Sequence, residues 1–208
     1  MDKISLPART KSDRLSLNET IQKRVSCRNF EKKPIFMRHL SNILWSGQGL
    51  ISKKYDMRRT VPSAGSTFPL ELFVAVRKKG VEELDQGIYH FIPEDHALEK
   101  MSDQDISDDI SEACFNQDFI RKAGVSVLVA SDNQRITRMY ADRGDRYVYM
   151  EAGSAMQNIS LEAVELGLGT VIVGAFDDAA VAELFKLEDL KPIGLMPVGH
   201  PRDKAFYV

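Results

Sequence analysis

Cysteine is scarce in this chain, which carries only Cys27 and Cys114 among its 208 residues. Two cysteines outside any Cys-x-x-Cys pair cannot build a disulfide framework. The four histidines lack the spacing of metal ligands, and no paired cysteine or carboxylate pattern accompanies them. No Gly-x-Ser-x-Gly elbow marks a nucleophile. The sequence therefore predicts neither a metal site nor a catalytic nucleophile.

Long hydrophobic runs and an excess of one charge are also absent. No apolar stretch is long enough for a helix that crosses a bilayer, and residues 1–7 lack the apolar core of a signal peptide. The formal net charge of −2 gives no electrostatic reason to expect nucleic acid or an anionic membrane as a partner. With 43% apolar and 28% charged residues, we expect a cytoplasmic globular protein.

The length and the even composition of the chain predict one domain. A chain of this size can bury a substantial core, and no internal repeat or low-complexity tract divides it. Residues 1–16 are polar and irregular in pattern. They predict an N-terminal arm, followed by a single domain over residues 17–208.

Hydrophobic periodicity indicates an α+β protein. The predicted strands cover residues 70–76, 87–92, 124–130, 170–173 and 193–198. The predicted helices cover residues 18–24, 37–45, 106–114, 145–166 and 178–185. Asn18 and Asp177 are predicted N-caps, and Gly47 and Gly49 are predicted to end the second helix. No Gly-x-Gly-x-x-Gly follows the first strand, so a doubly wound dinucleotide fold is not supported.

Three separated segments, residues 24–30, 62–69 and 167–176, gain meaning when they are taken together. In the first, Arg24 and Arg28 flank Ser26, and two guanidinium groups with a hydroxyl suit the oxygens of a phosphate monoester. The other two segments are rich in small residues, which let the backbone approach a flat ligand closely. Taken singly, the three segments would read as surface residues, a turn, and a helix end before a buried strand.

In this order and at this spacing, the three segments resemble the nitroreductase-like flavoprotein family over about residues 21–202. The Pro-Ser-Ala-Gly of residues 62–65, just before a predicted strand, resembles the SagB-type dehydrogenase branch of that family. The resemblance implies a nitroreductase-like α+β fold. In that fold helices surround a central mixed or antiparallel sheet, and a long buried helix lies at the interface of a homodimer.

The resemblance also implies a flavoprotein that holds FMN between two subunits. NADH or NADPH would reduce the flavin, and an oxidised small molecule such as a nitroaromatic or a quinone would reoxidise it. No catalytic side chain is implied, because the flavin carries the redox chemistry. A reductase of this kind is the function that the resemblance predicts.

Cofactor-binding positions follow from the resemblance residue by residue. The first segment would hold the phosphate and ribityl chain, the second would lie along the isoalloxazine ring, the end of the third would offer a backbone N–H to flavin N5, and residues near the C-terminus would complete the phosphate site. The implied positions are Arg24, Ser26, Arg28, Pro62, Ser63, Ala64, Gly65, Ser66, Val173, Gly174, Ala175, His200 and Arg202. Many relatives carry a glutamate at the position of Gly174, and this chain does not.

Two other functions stay open at this point. The chain could be a flavin-binding sensor or carrier without turnover. It could also be a peptide azoline dehydrogenase that works with partner proteins, but azoline-oxidising members of the SagB-type group carry a Lys-Tyr pair where this chain has Met139-Tyr140. The missing lysine argues against azoline chemistry.

The predicted helix over residues 145–166 adds a residue-level reason to expect a dimer. It is apolar over more than one stripe, and four small residues could allow close packing against a partner helix. These residues are Ala152, Gly153, Ala155 and Ala163.

Overall fold

The structure is a computed structural model that describes residues 3–9, 14–51 and 58–203. An antiparallel sheet forms its centre. Seven strands were found within these ranges, and their order across the sheet is β1-β4-β3-β2-β5-β7-β6. The strands are β1 (Lys3–Ser5), β2 (Leu70–Val76), β3 (Gly87–Ile92), β4 (Ala97–Ser102), β5 (Val125–Ser131), β6 (Gly169–Thr170) and β7 (Lys191–Gly199). Every pairing between them is antiparallel.

Helices cover both faces of this sheet. They are α1 (Leu17–Lys23), α2 (Met37–Gln48), α3 (Ser107–Ala113), α4 (Asn133–Tyr140), α5 (Gly144–Glu165) and α6 (Asp178–Phe185). Side chains alternate along a strand, so Leu72 and Val74 of β2 join the core under α2 and α5. Phe73 and Ala75 join the second core, under α3 and α6. No helix in the described ranges is long and apolar enough to cross a bilayer.

The predicted α+β class and the sheet surrounded by helices are confirmed. The strands β2 and β3 lie at the predicted residues, and Asp177 caps α6 by accepting a hydrogen bond from the Ala180 N–H at 3.0 Å. The predicted strand over residues 170–173 is shorter than expected. Only Gly169–Thr170 forms a ladder, and Val173 rejoins the sheet through an isolated bridge to Leu195.

Two elements escaped prediction because their sequences are too polar. Strand β4 contains Glu99 and Lys100 and lacks β-branched residues, and helix α4 buries only Ile136. The expectation of an irregular N-terminus is wrong at Lys3–Ser5, which pairs with β4 as an edge strand. Residues 1–2 and 10–13 of the predicted arm, and residues 52–57 and 204–208 of the predicted domain, lie outside the described residues.

The N-cap of helix α1 lies two residues before its predicted position. Ser16, and not Asn18, is the N-cap, because Ser16 and Glu19 form a reciprocal capping box. The Glu19 N–H donates to Ser16 Oγ at 3.3 Å, and the Ser16 N–H donates to Glu19 Oε2 at 2.7 Å. Residues 16–19, Ser-Leu-Asn-Glu, match the capping-box pattern, so Ser16 could have been predicted as the N-cap from the sequence alone.

Helix α2 continues past Gly47, which was expected to end it. Gly47 lies inside the helix because α5 crosses there: a Cβ at this position would come within 2.9 Å of Ile159 Cδ1. Gly49 is the C-cap. The glycine at position 47 therefore serves close helix packing and not termination.

Three of the four small residues of α5 are buried within their own chain. Ala152, Ala155 and Ala163 are all fully buried in the core of their own chain, so the expectation that they form an intersubunit contact is wrong. Gly153 is exposed, with nothing within 4 Å of a Cβ placed on it. The exposed face of α5 also carries Tyr149 and Met150, each 63% exposed.

The capping box gives a test of the α1 boundary. Ser16→Ala should lower the free energy of unfolding by about 1 kcal/mol, because it leaves a helix N–H without its acceptor. At fixed protein concentration this corresponds to a fall in Tm of about 2–4 °C. Asn18→Ala is the matched control and should change stability by less than about 0.5 kcal/mol. Equal losses in the two variants, measured by thermal unfolding, would contradict the assignment of the cap.

Candidate functional site

The arginine segment extends the edge of the sheet beside β6. Ser26 bridges Thr170 in parallel, and the Cys27 N–H donates to the Thr170 carbonyl at 2.9 Å. In an extended segment alternate side chains share one side. Cys27 is accordingly buried, while the side chains of Arg24, Ser26 and Arg28 are exposed together on the opposite side.

The far end of this segment is tied to the chain that follows β7. Phe30 is buried and bridges Pro201, and the Arg202 N–H donates to the Asn29 carbonyl at 2.9 Å. A cleft of about 140 Å³ opens here, lined by Val25, Ser26, Cys27, Arg28, Asn29, Pro201 and Asp203. Arg202 is exposed next to this cleft. The structure thus brings Ser26, Arg28 and Arg202 to one edge of the sheet.

His200 lies close to the same edge but has a partner within the protein. Its Nε2 is 3.1 Å from the Pro34 carbonyl oxygen, and the ring is half-buried. The ring therefore helps hold the Pro34 segment against the end of β7. Its assignment to the cofactor stays a prediction.

His39 lies near this end of the molecule, and its pKa is lowered from 6.5 to about 4. Burial is the largest cause, and the charges of Arg38, His200 and Arg14 act in the same direction. These neighbouring positive charges also favour an anionic ligand at this edge.

The third segment, residues 173–175, runs along the same edge toward the middle of β7. Val173 is buried, and its N–H donates to the Leu195 carbonyl at 2.8 Å. The sheet therefore already uses the Val173 N–H, and the assignment of Val173 to the cofactor stays a prediction. Gly174 and Ala175 are exposed, and a Cβ on Gly174 would meet nothing within 4 Å. The backbone at Gly174 is open to a flat ligand.

The Pro-Ser segment, residues 62–66, forms a tight turn in an uncommon conformation. Gly65, Ser66 and Phe68 have φ angles of 60°, 53° and 43°, in the left-handed region. Ser63 Oγ accepts a hydrogen bond from the Phe68 N–H at 2.9 Å and closes the turn. Ser63 and Ala64 are half-buried, whereas Pro62, Gly65 and Ser66 are exposed.

Met139 and Tyr140 pack directly against this turn. A Cβ at position 65 would come within 2.5 Å of Met139 Sδ and 3.0 Å of the Tyr140 hydroxyl. Together with the left-handed φ, this close contact makes glycine the only residue that fits position 65 without strain. The pair that replaces Lys-Tyr in this chain thus lies against the predicted flavin-contacting turn.

The Pro-Ser segment and the arginine segment lie at opposite ends of the sheet in one chain. The turn leads into Leu70, which pairs with Ser131 at one end of β5. Ser26 is beside Thr170, which pairs with Val198 at the other end. Six residue steps of β2 separate the two ends, or about 20 Å. A single chain does not bring the two predicted halves of the site together.

A buried polar network behind the Pro-Ser segment was not predicted. Glu151 of α5 is 3% exposed, and Gln48 Nε2 lies 3.4 Å from its Oε1. Arg59 Nη1 donates to Gln48 Oε1 at 3.0 Å, and Arg59 Nη2 pairs with Glu94 Oε1 at 2.8 Å. The sequence signal that could have predicted this network is the position of Glu151 on the apolar stripe of α5, next to Ala152 and Ala155.

Comparisons with known proteins identify the family and the fold of this chain. A family model described as "Nitroreductase family" matches residues 21–200. "Putative nitroreductase MJ1384" from Methanocaldococcus jannaschii is 42% identical over 188 residues, which cover 90% of this chain and 92% of that protein. The crystal structure of "a putative nitroreductase" from Ralstonia eutropha JMP134 superimposes with a TM-score of 0.83 at 26% identity. It covers 97% of this chain and 90% of its own.

One relative has a more specialised name. "Microcin B17-processing protein McbC" from Escherichia coli is 27% identical over 151 residues. The matched stretch covers 64% of this chain and 50% of McbC. The similarity supports the SagB-type resemblance of the Pro-Ser-Ala-Gly segment.

Proposed function

Because the chain belongs to the nitroreductase family, we propose that it is an FMN-dependent oxidoreductase of the cytoplasm. In this proposal NADH or NADPH is the reductant, and an oxidised organic compound such as a nitroaromatic or a quinone is the acceptor. When bound, FMN would supply hydride transfer at N5 in two half-reactions, first from the nicotinamide and then to the acceptor. The side chains bind, orient and shield; they do not need to act as acid, base or nucleophile.

The arginine segment carries the proposal, because it fits a phosphate monoester. Arg24, Ser26 and Arg28 project to one exposed side of an extended segment, and the backbone of that segment is fixed by hydrogen bonds to Thr170 and Arg202. Arginine donors in a fixed frame bind phosphate oxygens strongly. The pKa of His39 is lowered first by burial and also by Arg38, His200 and Arg14, and these nearby positive charges add to the preference for an anion.

A flat ring fits beside the third segment. The open space above Gly174 lets a planar ligand approach the backbone, and Ala175 beside it is exposed as well. Thr170 pairs with Val198 and Val173 with Leu195, and these partners are three residue steps apart on β7, or about 10 Å. A phosphate held at the arginine segment and a ring placed at Gly174 are thus compatible with one ligand.

A second copy of the chain would complete the site. The Pro-Ser segment of the same chain is about 20 Å away along the sheet. A two-fold partner could supply its own Pro62–Ser66 turn over the ring. Four exposed apolar side chains on α1 and α5 support a homodimer, because their burial against a partner would be favourable; they are Leu17, Ile21, Tyr149 and Met150.

An azoline dehydrogenase is the second candidate, and its support is the similarity to McbC. Such an enzyme needs a base near the flavin, and the side chain at the expected place is Met139, a thioether without basic character. The third candidate, a flavin-binding sensor or carrier, differs from both enzymes because its flavin would not be reduced by a nicotinamide.

Anaerobic reduction of the purified protein tests the proposal. We expect a yellow protein from which heating releases FMN and not FAD, because no dinucleotide fingerprint is present to hold an adenylate half. NADH or NADPH should bleach the bound flavin, and a nitroaromatic or quinone should restore the colour. Bound flavin that neither nicotinamide reduces would favour the carrier, and absence of FMN binding after reconstitution would overturn the proposal.

Substitution of the two arginines tests the phosphate assignment. Arg24→Ala and Arg28→Ala should each weaken FMN binding by roughly ten- to a hundredfold, since a charge-assisted hydrogen bond contributes about 1.5–3 kcal/mol. The absorption spectrum of the bound flavin should stay unchanged, because the ring contacts are intact. Lys78→Ala, which removes one exposed positive charge in the turn after β2, is the control. If the dissociation constants of all three variants equal that of the wild type, the arginines do not bind the phosphate.

A further inference from the structure

Phe68 has an unusual backbone conformation at the end of the Pro-Ser turn. Its φ angle is 43°, in the left-handed region, which a residue with a bulky side chain rarely adopts. The next residue is Pro69, whose ring restricts the backbone of the residue before it still further. A conformation of this kind persists only where several contacts fix it. The contacts of Phe68 therefore show what holds the turn in shape.

Three side chains hold Phe68 from different directions. Its N–H donates to Ser63 Oγ at 2.9 Å, and its carbonyl oxygen accepts from Arg135 Nη1 at 3.0 Å. The guanidinium carbon of Arg59 lies 4.9 Å from the centre of the Phe68 ring, within the range of a cation–π contact. Arg59 and Ser63 belong to the segment that leads into the turn. Of the three, only Arg135, on helix α4, ties Phe68 to a separate element of the fold.

Arg135 is itself held in place by two carboxylates. Its Nε donates to Asp132 Oδ2 at 3.1 Å, and its Nη2 pairs with Glu71 Oε1 at 2.6 Å. With the Phe68 carbonyl, each of the three guanidinium nitrogens has one acceptor. The planar group presents these donors in a fixed fork, which the single ammonium of a lysine cannot reproduce.

Glu71 anchors this network in the sheet. It belongs to β2, its side chain is 12% exposed, and its Oε2 lies 2.9 Å from Nε2 of His90 on β3. Burial alone would raise the pKa of Glu71, but the hydrogen bond from His90 and the charge of Arg135 outweigh it and lower the pKa. The carboxylate is therefore charged where it meets Arg135. Because this carboxylate is largely shielded from water, the pair is screened less than an ordinary surface ion pair.

Helix α4 supports the Pro-Ser turn at both of its ends. At its start, the N–H of the N-cap residue Asp132 donates to the Pro69 carbonyl at 2.8 Å. At its end, Met139 packs so closely on Gly65 that a Cβ there would come within 2.5 Å of its sulfur. Ile136 is the one buried residue of this polar helix. Since α4 buries so little in the core, its polar contacts are needed to fix it against the turn.

We infer that Arg135 is a positioning residue for the ring end of the flavin site: its guanidinium, held by Glu71 and Asp132, fixes the Phe68 carbonyl and with it the Pro-Ser turn. The inference rests on the proposed function for the identity of the ligand. The coupling of Arg135 to the turn concerns this chain alone. Its role is to hold the turn, and no contact with the substrate or the flavin is assigned to it.

Arg121 is a matched control. Its side chain is 34% exposed, close to the 40% of Arg135, and it also pairs with two carboxylates. These are Asp108 and Asp118, each 3.5 Å away, in α3 and the turn that follows it. This region packs on the face of the sheet opposite to α4. Substitution of either arginine removes a similar charge network, but only one of the two should alter the Pro-Ser turn.

Hydrogen exchange of the full-length protein without added cofactor measures the coupling. In Arg135→Ala, amide exchange in a peptide that covers residues 62–69 should rise about tenfold, the factor that corresponds to loss of one hydrogen bond to a charged group. Arg135→Lys keeps the charge without the fork and should restore only part of the protection. Arg121→Ala should leave this peptide unchanged. Exchange in β5 should stay at the wild-type level, and an equal rise in both peptides would contradict a local role.

A double variant tests whether Glu71 acts through Arg135. Glu71→Gln removes the negative charge with little change of shape, so it should raise exchange of residues 62–69 severalfold. Adding Glu71→Gln to Arg135→Ala should give no further rise, because both residues reach the turn by one route. A double variant whose rise is the product of the two single rises would overturn the assignment of Glu71 as the anchor of Arg135.

FMN titration gives the second readout. Arg135→Ala should weaken FMN binding severalfold and shift the visible absorption of the bound flavin, whereas Arg28→Ala should weaken binding without a spectral shift. Arg121→Ala should do neither. Equal exchange of residues 62–69 in Arg135→Ala and Arg121→Ala would overturn the inference, whatever the cofactor. A wild-type protein that binds no FMN would instead overturn the proposed function, while the exchange data would still decide whether Arg135 fixes the turn.

Discussion

The packing of α5 against α2 is the constraint on which the rest of the structure depends. The two helices cross with Gly47 against Ile159, and a polar contact ties them on either side of that crossing. Asn42 reaches Glu162 toward one end, and Gln48 reaches Glu151 toward the other. Both helices lie on one face of the antiparallel sheet. Their packing therefore helps to fix the positions of the arginine segment and the Pro-Ser turn at the two ends of the sheet.

This arrangement places the two halves of the candidate site, the arginine segment and the Pro-Ser turn, at opposite ends of the sheet. The arginine segment belongs to the end where α5 finishes and β6 begins, whereas the Pro-Ser turn belongs to the end where α2 finishes and β2 begins. Each half is well anchored in its own chain, and each presents exposed groups. A ligand with a phosphate and a flat ring would use both halves only if two chains meet. The exposed apolar residues of α1 and α5 are available for such a contact.

The sequence predicts those parts of the molecule that local patterns determine. Strands β2 and β3 follow from β-branched and aromatic runs, and the Asp177 cap from its position before an amphipathic stretch. The sequence does not show which neighbour a residue contacts. Gly47 was predicted to end a helix, but it packs against Ile159 inside the helix. The Val173 N–H donates to the Leu195 carbonyl, a contact that the sequence does not reveal. The alanines of α5 were assigned to a partner because a doubly apolar helix does not say which of its faces belongs to the core. The arginine segment and the Pro-Ser turn were found only as ordered motifs, and their roles as ligand contacts are still predictions.

Subunit complementation tests the central claim, that one flavin site is built from two chains. One chain would carry Arg24→Ala and Arg28→Ala, and a differently tagged chain would carry Gly65→Val, which disturbs the Pro-Ser turn. Each variant alone should bind FMN weakly. In a purified mixed dimer, one site combines both intact halves and the other combines both damaged halves, so half of the sites should bind FMN with wild-type affinity. Mixed dimers without any high-affinity site, or a wild-type monomer that binds FMN fully, would contradict the shared site.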